Sequence, residues 1–302
     1  MSEITNNECR ELLDKPADVV LMNGFEDDFV PKGATFTGKR KRARSTMLRV
    51  ANCLLGEDLG DDTLIIGTSG RYEFKNKGID VFLESLNRLN RDKDLKKKVL
   101  AFVNVPSWVG DPREDLQKRL KSKDKFTEPL QCPFITHWLH NMTHDQVLDM
   151  LKYLGMGNRP EDKVKVIFVP CYQDGHDGIL NKHYYDLILG EDLSVYPSYY
   201  EPWGYTPLES VAFRVPTITT DLAGFGLWVN SLKNQHGIND GVEVLHRSDY
   251  NYSEVADGIK DTVALFSTKT EAEIKEIRKR AGQVAEQALW KHFIQYYYEA
   301  YD

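Results

Sequence analysis

Two glutamates, Glu201 and Glu209, stand with seven residues between them in the stretch VYPSYYEPWGYTPLESVAFRVPTITTDLAGFG, Val195 to Gly226. Glu201 precedes Pro202-Trp203-Gly204, where no helix requires it. A carboxylate in such a loop can bind sugar hydroxyls or stabilise an oxocarbenium-like state; a solvated loop glutamate is the plain alternative. Glu209 closes Thr206-Pro207-Leu208-Glu209, which has the form of a capping box with proline at the first helical position. In that reading Glu209 reaches back to the Thr206 amide. The same helix start is also an anion site, through its free amides and dipole, and spacing alone does not choose between the two. Arg71 and Lys77 form a second set, in the loop GRYEFKNKG bounded by Gly70 and Gly78. An arginine fork and a compact lysine charge on a glycine-flanked loop suit a diphosphate; a solvated basic loop is the alternative. The glycine spacing is not that of a Walker loop. His137, His140 and Asn141 could hydrogen-bond a sugar, whereas the other six histidines lack the spacing of a zinc set. Together these residue types suit a nucleotide-sugar.

The elements that must position them follow from the apolar pattern. Thr63–Thr68 (TLIIGT), Val99–Val105, Lys163–Pro170, Leu193–Pro197 and Thr217–Thr220 read as strands, the longer ones as buried on both faces. Ile79–Leu89, Thr143–Leu154, Tyr184–Leu189 and Pro207–Phe213 read as helices. Glu271–Tyr301 reads as one long terminal helix whose aromatic stripe, Trp290, Phe293, Tyr296, Tyr297 and Tyr301, is packing. The alternation predicts an α/β, doubly wound parallel sheet, with ligands beyond the carboxyl ends of its strands. The loops concerned are Ser69–Gly78, His137–Asn141, Cys171–His183, Ser198–Tyr205 and Asp221–Gly226.

The rest of the chain is less regular. Asn7–Asp14 reads as a helix, Asp18–Met22 (DVVLM) as a short strand, and Asn23-Gly24 as a tight turn needing positive φ. Phe134–Thr136 is a candidate strand. Residues 110–131 read as a surface insertion. The basic run GKRKRAR at 38–44 reads as a solvated helix face, with a polyanion contact as the alternative. Residues 1–58 are expected to be a boundary segment, and 59–302 the Rossmann-like domain.

Composition excludes several classes. The net charge of −7 over 302 residues argues against nucleic acid as a main partner. No apolar run approaches the roughly 20 residues of a membrane helix, and the polar start MSEITNNECREL is not expected to be a secretory signal. Cys9, Cys53, Cys132 and Cys171 are widely spaced, which suits a reducing cytoplasm.

GRYEFKNKGIDVFLESLNRLN, the HNM at 140–142 and the long motif at 196–226 resemble the glycogen synthases of the animal and fungal type, which also have bacterial members. These are retaining glucosyltransferases of the two-Rossmann-domain GT-B architecture, and the similarity runs from about Glu8 to the C-terminus. The resemblance implies transfer of glucose from UDP-glucose to the 4-hydroxyl of an α-1,4-glucan, glycogen or a maltooligosaccharide, with retention and without a metal or other cofactor. It implies that Arg71 and Lys77 hold the diphosphate and stabilise departing UDP, and that Thr206 with the adjoining helix amides binds the terminal phosphate. Tyr184 would stack on uracil, and Glu209 would bind donor hydroxyls, chiefly on the ribose. Glu201, with the Trp203-Gly204 backbone and Tyr205 beside it, would face the transferred glucose; His140 and Asn141 would border the donor pocket. A front-face reaction, with UDP helping to deprotonate the acceptor, gives Glu201 an electrostatic role.

Two departures matter. Family members carry an N-terminal Rossmann domain before the residues matching Glu8 onward, so this chain is expected to be the donor-binding half, inactive alone, with that domain as a partner and a homo-oligomer possible. Eukaryotic members sense glucose 6-phosphate through an arginine-rich helix, reduced here to Arg278, Lys279 and Arg280, which suits a bacterial-type member. Two other readings stand: a related retaining transferase using ADP-glucose or another donor, and a nucleotide-sugar-binding module without turnover.

Overall fold

The computed structural model describes residues 2–301. In order, the chain forms α1 (Glu3–Leu13), α2 (Gly33–Leu55), β1 (Leu64–Ser69), α3 (Ile79–Asn90), β2 (Val99–Asn104), β3 (Val109–Pro112), α4 (Glu114–Lys121), β4 (His137–Leu139), α5 (Gln146–Tyr153) and β5 (Val164–Val169). There follow α6 (Tyr184–Ile188), β6 (Leu193–Val195), α7 (Tyr205–Ala212), β7 (Thr217–Thr220), α8 (Gly224–Ser231), β8 (Val242–Leu245), α9 (Tyr252–Ser267), α10 (Glu271–Gln287) and α11 (Trp290–Tyr301).

Six strands make one parallel sheet in the order β5-β2-β1-β6-β7-β8, and β3 and β4 form a separate antiparallel ribbon. The runs VLAFVN and VKVIFV are buried throughout, because helices cover both faces of the sheet. On one face Phe82, Leu86, Val147 and Ile259 pack on Ile66, Ala101 and Phe168. On the other, Met47, Ala51 and Leu54 of α2 pack on Ile65, Phe102 and Ile167. Thus α2, within the 1–58 segment, shares the core of the sheet. A third cluster joins Phe25, Trp203, Phe213, Phe225 and Phe293 around α7, α8, α10 and α11. From β1 the chain steps outward to β2 and β5, then returns to β1's other side with β6. The order therefore reverses between β1 and β6, where a ligand crevice is expected at the carboxyl ends.

The doubly wound α/β fold is as the apolar pattern predicts, with corrections at its margins. DVVLM is not a strand. This segment runs along the C-terminal helices instead, with the Phe25 amide donating to Ala288 O (3.3 Å) and the Trp290 amide to Phe25 O (3.1 Å). Gly24 has no positive φ; it is needed because a Cβ would meet Trp290 Cδ2 at 2.7 Å. The terminal helix is two helices, broken where Leu289 bridges to Phe25. Phe293 is buried in the aromatic stripe, but Tyr301 is 86% exposed. Phe134–Thr136 pairs only through an Ile135–Phe168 bridge, and the strand proper begins at His137.

The insertion at 110–131 is not all surface. Arg113 is fully buried and donates to the carbonyls of Gln131, Cys132 and Ile135 (2.6, 2.7 and 3.2 Å), satisfying backbone that a loop would otherwise bury unpaired. The basic run is likewise not simply solvated: Arg40 and Arg44 reach inward to Asp192 at 2.6 and 2.7 Å. Between Asp221 and Thr270, where the sequence offers no clear element, the chain forms α8, β8 and α9. Among the described residues no helix is long and apolar enough to cross a membrane.

Candidate functional site

The switch between β1 and β6 opens into a cavity of about 370 Å³, lined by Ser69, Gly70, Arg71 and Tyr72 after β1, Asn104 and Pro106 after β2, Cys171, Tyr172 and Gln173 after β5, with Tyr184 of α6 and Thr206 of α7. Arg71, Tyr184 and Thr206, distant in sequence, are thereby brought to one wall system. Among the described residues Arg71 pairs with Glu73 alone, at 3.1 Å, and its side chain is 76% exposed, so its charge is available. The Tyr184 hydroxyl lies 2.8 Å from Ser69 Oγ and 3.5 Å from the Tyr196 hydroxyl, which in turn lies 2.8 Å from Ser210 Oγ. Burial pushes the Tyr184 hydroxyl well above its ordinary pKa, so it stays neutral and anchors the ring.

Lys77 and Glu201 do not line this cavity; on the loops that contribute Arg71 and lead into α7, they form an ion pair and hydrogen bond with each other. The backbone explains why they meet. Gly78 (φ 68°) lies so close to Pro197 O that a Cβ would clash with it, and the Tyr199 amide donates to Asn76 O (2.7 Å). The two loops are therefore locked together. Glu201 is fixed on its other side too: its amide donates to Leu222 O and its carbonyl accepts from the Gly224 amide (3.1 and 3.0 Å).

Helix α7 starts at Tyr205 with Gly204 (φ 105°) at the cap and no side-chain cap bond. The capping-box reading fails: Thr206 lies inside the helix, and the Glu209 carboxylate accepts from the Tyr185 hydroxyl at 2.8 Å. Burial raises the Glu209 carboxyl, partly offset by that bond. Burial and Glu209 push Tyr185 up to about 12.

Other expected residues stand apart from the cavity walls. The Trp203 side chain is buried against Phe225, Trp228 and Phe293, leaving only its backbone to serve a ligand. Tyr205 is 46% exposed. His140 packs on Trp108 at 4.9 Å, and Asn141 Oδ1 accepts from the Thr143 amide and hydroxyl (3.1 and 3.0 Å). Conversely, Tyr72, Asn104, Pro106 and Gln173 line the cavity and were not legible as individuals. Asn104 accepts from Gln173 Nε2 at 2.8 Å, and Tyr72 donates to Asp145 at 2.8 Å.

Among the described residues one group has metal-binding dimensions: ligand atoms of His137, Cys171 and Asp177 lie within 4.8 Å of one another. His137 hydrogen-bonds Thr136 Oγ1 (2.8 Å) through Nδ1 and Asp177 O (2.7 Å) through Nε2.

Comparison with known proteins gives this geometry a context. The glycogen synthase family model matches residues 1–115 and 113–302. The glycogen [starch] synthase of Neurospora crassa is 27% identical over 99% of this chain and 50% of its own length. Isoform 2 of Saccharomyces cerevisiae is 28% identical over 96% of this chain and 50% of its own, and the Caenorhabditis elegans protein 30% over 82% and 45%. The chain thus spans about half the length of the curated relatives it matches. In fold it is similar to sucrose-phosphate synthase from Thermosynechococcus elongatus (TM-score 0.54, 15% identity, 100% of this chain and 56% of that one). It is also similar to Anabaena HepE, solved in complex with UDP (TM-score 0.50, 15% identity, 93% and 55%).

Proposed function

The chain belongs to the glycogen synthase family, and from that premise we propose that it is the donor-binding half of a glucosyltransferase. Its donor is UDP-glucose, its acceptor the non-reducing end of an α-1,4-glucan, and the anomeric configuration is retained without a metal. The observation that carries the reading is the cavity at the β1/β6 switch, with Arg71, Tyr184 and Thr206 in its walls and the Lys77–Glu201 pair on the loops that contribute Arg71 and lead into α7.

Each part has a task in that reaction. Arg71 and Lys77 neutralise the diphosphate, and the free amides at the start of α7 take its terminal phosphate. Tyr184, tethered at its hydroxyl, offers its ring to the uracil, while Glu209 binds the ribose. Donor arrival gives Lys77 a phosphate and Glu201 the sugar hydroxyls, so the ion pair is exchanged for two ligand contacts. As UDP departs, the two cations stabilise its growing charge and Glu201 stabilises the oxocarbenium-like carbon. Acceptor contacts come from the second Rossmann domain, and the chain alone does not turn over. Four free cysteines fit a cytoplasmic setting, and the short basic stretch at 278–280 fits a bacterial-type member.

Calorimetric titration with UDP, ADP and GDP tests the donor. Preference for UDP is the expected result; preference for ADP would overturn the donor assignment while leaving the site in place.

A further inference from the structure

We infer that His137, Cys171 and Asp177 form a binding site for a thiophilic divalent cation of the zinc class, which pins the cavity-lining loop at 171–183 to the β3–β4 ribbon. The site goes beyond the transfer reaction, which uses neither the metal nor these side chains. Three chemically different ligand types converge from separate segments, with ligand atoms within 4.8 Å of one another. His137 opens β4, Cys171 follows β5, and Asp177 lies in the loop between β5 and α6. Imidazole, thiolate and carboxylate are a zinc donor set, and three protein ligands leave a fourth position for water.

The surroundings suit ligation. His137 and Cys171 are 2% and 8% exposed, which keeps competing solvent low. Either His137 nitrogen can ligate while the other keeps an oxygen partner, Thr136 Oγ1 or Asp177 O, the orienting bond that metal-bound imidazoles normally have. Asp177 is preorganised: its carboxylate accepts from the amides of Ile179, Leu180 and Asn181 at 2.9, 2.8 and 2.7 Å. A carboxylate has further lone pairs for a cation. Binding releases the Cys171 thiol proton to solvent. The structural consequence is local. Cys171 and Gln173 line the cavity at one end of this loop, and Tyr184 follows its other end, so the metal would fix the wall against which the nucleotide packs.

Cobalt chloride, a spectroscopic substitute for zinc, tests the site on the intact chain. One equivalent is expected to give a sulfur-to-cobalt charge-transfer band that zinc chloride abolishes by competition. Cys171→Ser, which leaves Cys9, Cys53 and Cys132 in place, should lose the band. Asp177→Asn, which keeps an oxygen acceptor for the turn, should weaken cobalt binding at least about tenfold. A folded wild-type chain without the band, or a band that persists in Cys171→Ser, would overturn the proposal.

Discussion

Strands β1 and β6 carry charged groups at both ends, and the two ends use them differently. At the amino-terminal end Asp192 is buried between Arg40 and Arg44 and also accepts the Ile65 amide at 2.9 Å. Arg40 further donates to Leu189 O and Glu191 O, and Arg44 to Thr63 O and Gly190 O. Those arginines bond the protein itself from several directions, so they join α2 to the strands. At the carboxyl-terminal end Arg71, 76% exposed, has one carboxylate partner among the described residues, and Lys77 pairs with Glu201 alone there. Similar ions on the same two strands thus serve cohesion at one edge and remain exchangeable at the other. Partner number separates the two roles, not residue type or burial: the Lys77 and Glu201 side chains are 15% and 20% exposed, those of Arg40 and Arg44 20% and 13%.

Asp192→Ala should give the largest effect. It leaves two arginines in a buried setting without their counterion, which costs about 3–5 kcal/mol in comparable cases. Urea unfolding should register that loss, while UDP affinity of the folded fraction stays unchanged. A stable variant with weakened UDP binding would dissolve the distinction between the edges.

The neighbouring Glu191 sharpens it. Burial pushes the Glu191 carboxyl up to about 8, against 4.5 ordinarily, with only the Ser194 hydroxyl opposing the shift through a hydrogen bond, whereas the two arginines hold Asp192 low despite its burial. Between those pH values folded Glu191 keeps a proton that the unfolded chain has released. Its stabilising contribution is therefore complete below pH 4.5 and is lost as pH rises towards 8, at up to about 1.4 kcal/mol per pH unit. Unfolding measured across this window should show a shallower slope in Glu191→Gln; an unaltered slope would mean that Glu191 is ionised in the fold.

Much of this frame was legible in the sequence. TLIIGT followed by helical spacing from Ile79 and then VLAFVNV fixes a βαβ unit, and parallel-sheet logic sends Arg71, Lys77 and Glu201 to one edge. Side-chain direction was less accessible. Thr206 and Glu209 match a capping box, yet Gly204, at φ 105°, takes the cap position two residues earlier, which frees Glu209 for Tyr185. Trp203 looked like a loop residue because its partners Phe225, Trp228 and Phe293 lie far along the chain. The break before Trp290 has no glycine or proline to announce it; tertiary pairing with Phe25 makes it. His137, Cys171 and Asp177 carry no motif spacing, and only the neighbouring ends of β4 and β5 bring them together.

The most direct test of the central claim is calorimetric titration of UDP into the wild-type chain, Arg71→Ala and Lys77→Ala. Each substitution should weaken binding by about 1–3 kcal/mol, the range for a lost charge-assisted contact. Arg71→Ala should also leave stability within about 0.5 kcal/mol, as expected at an exposed position. Undiminished UDP affinity in both variants would contradict a diphosphate site at the β1/β6 edge.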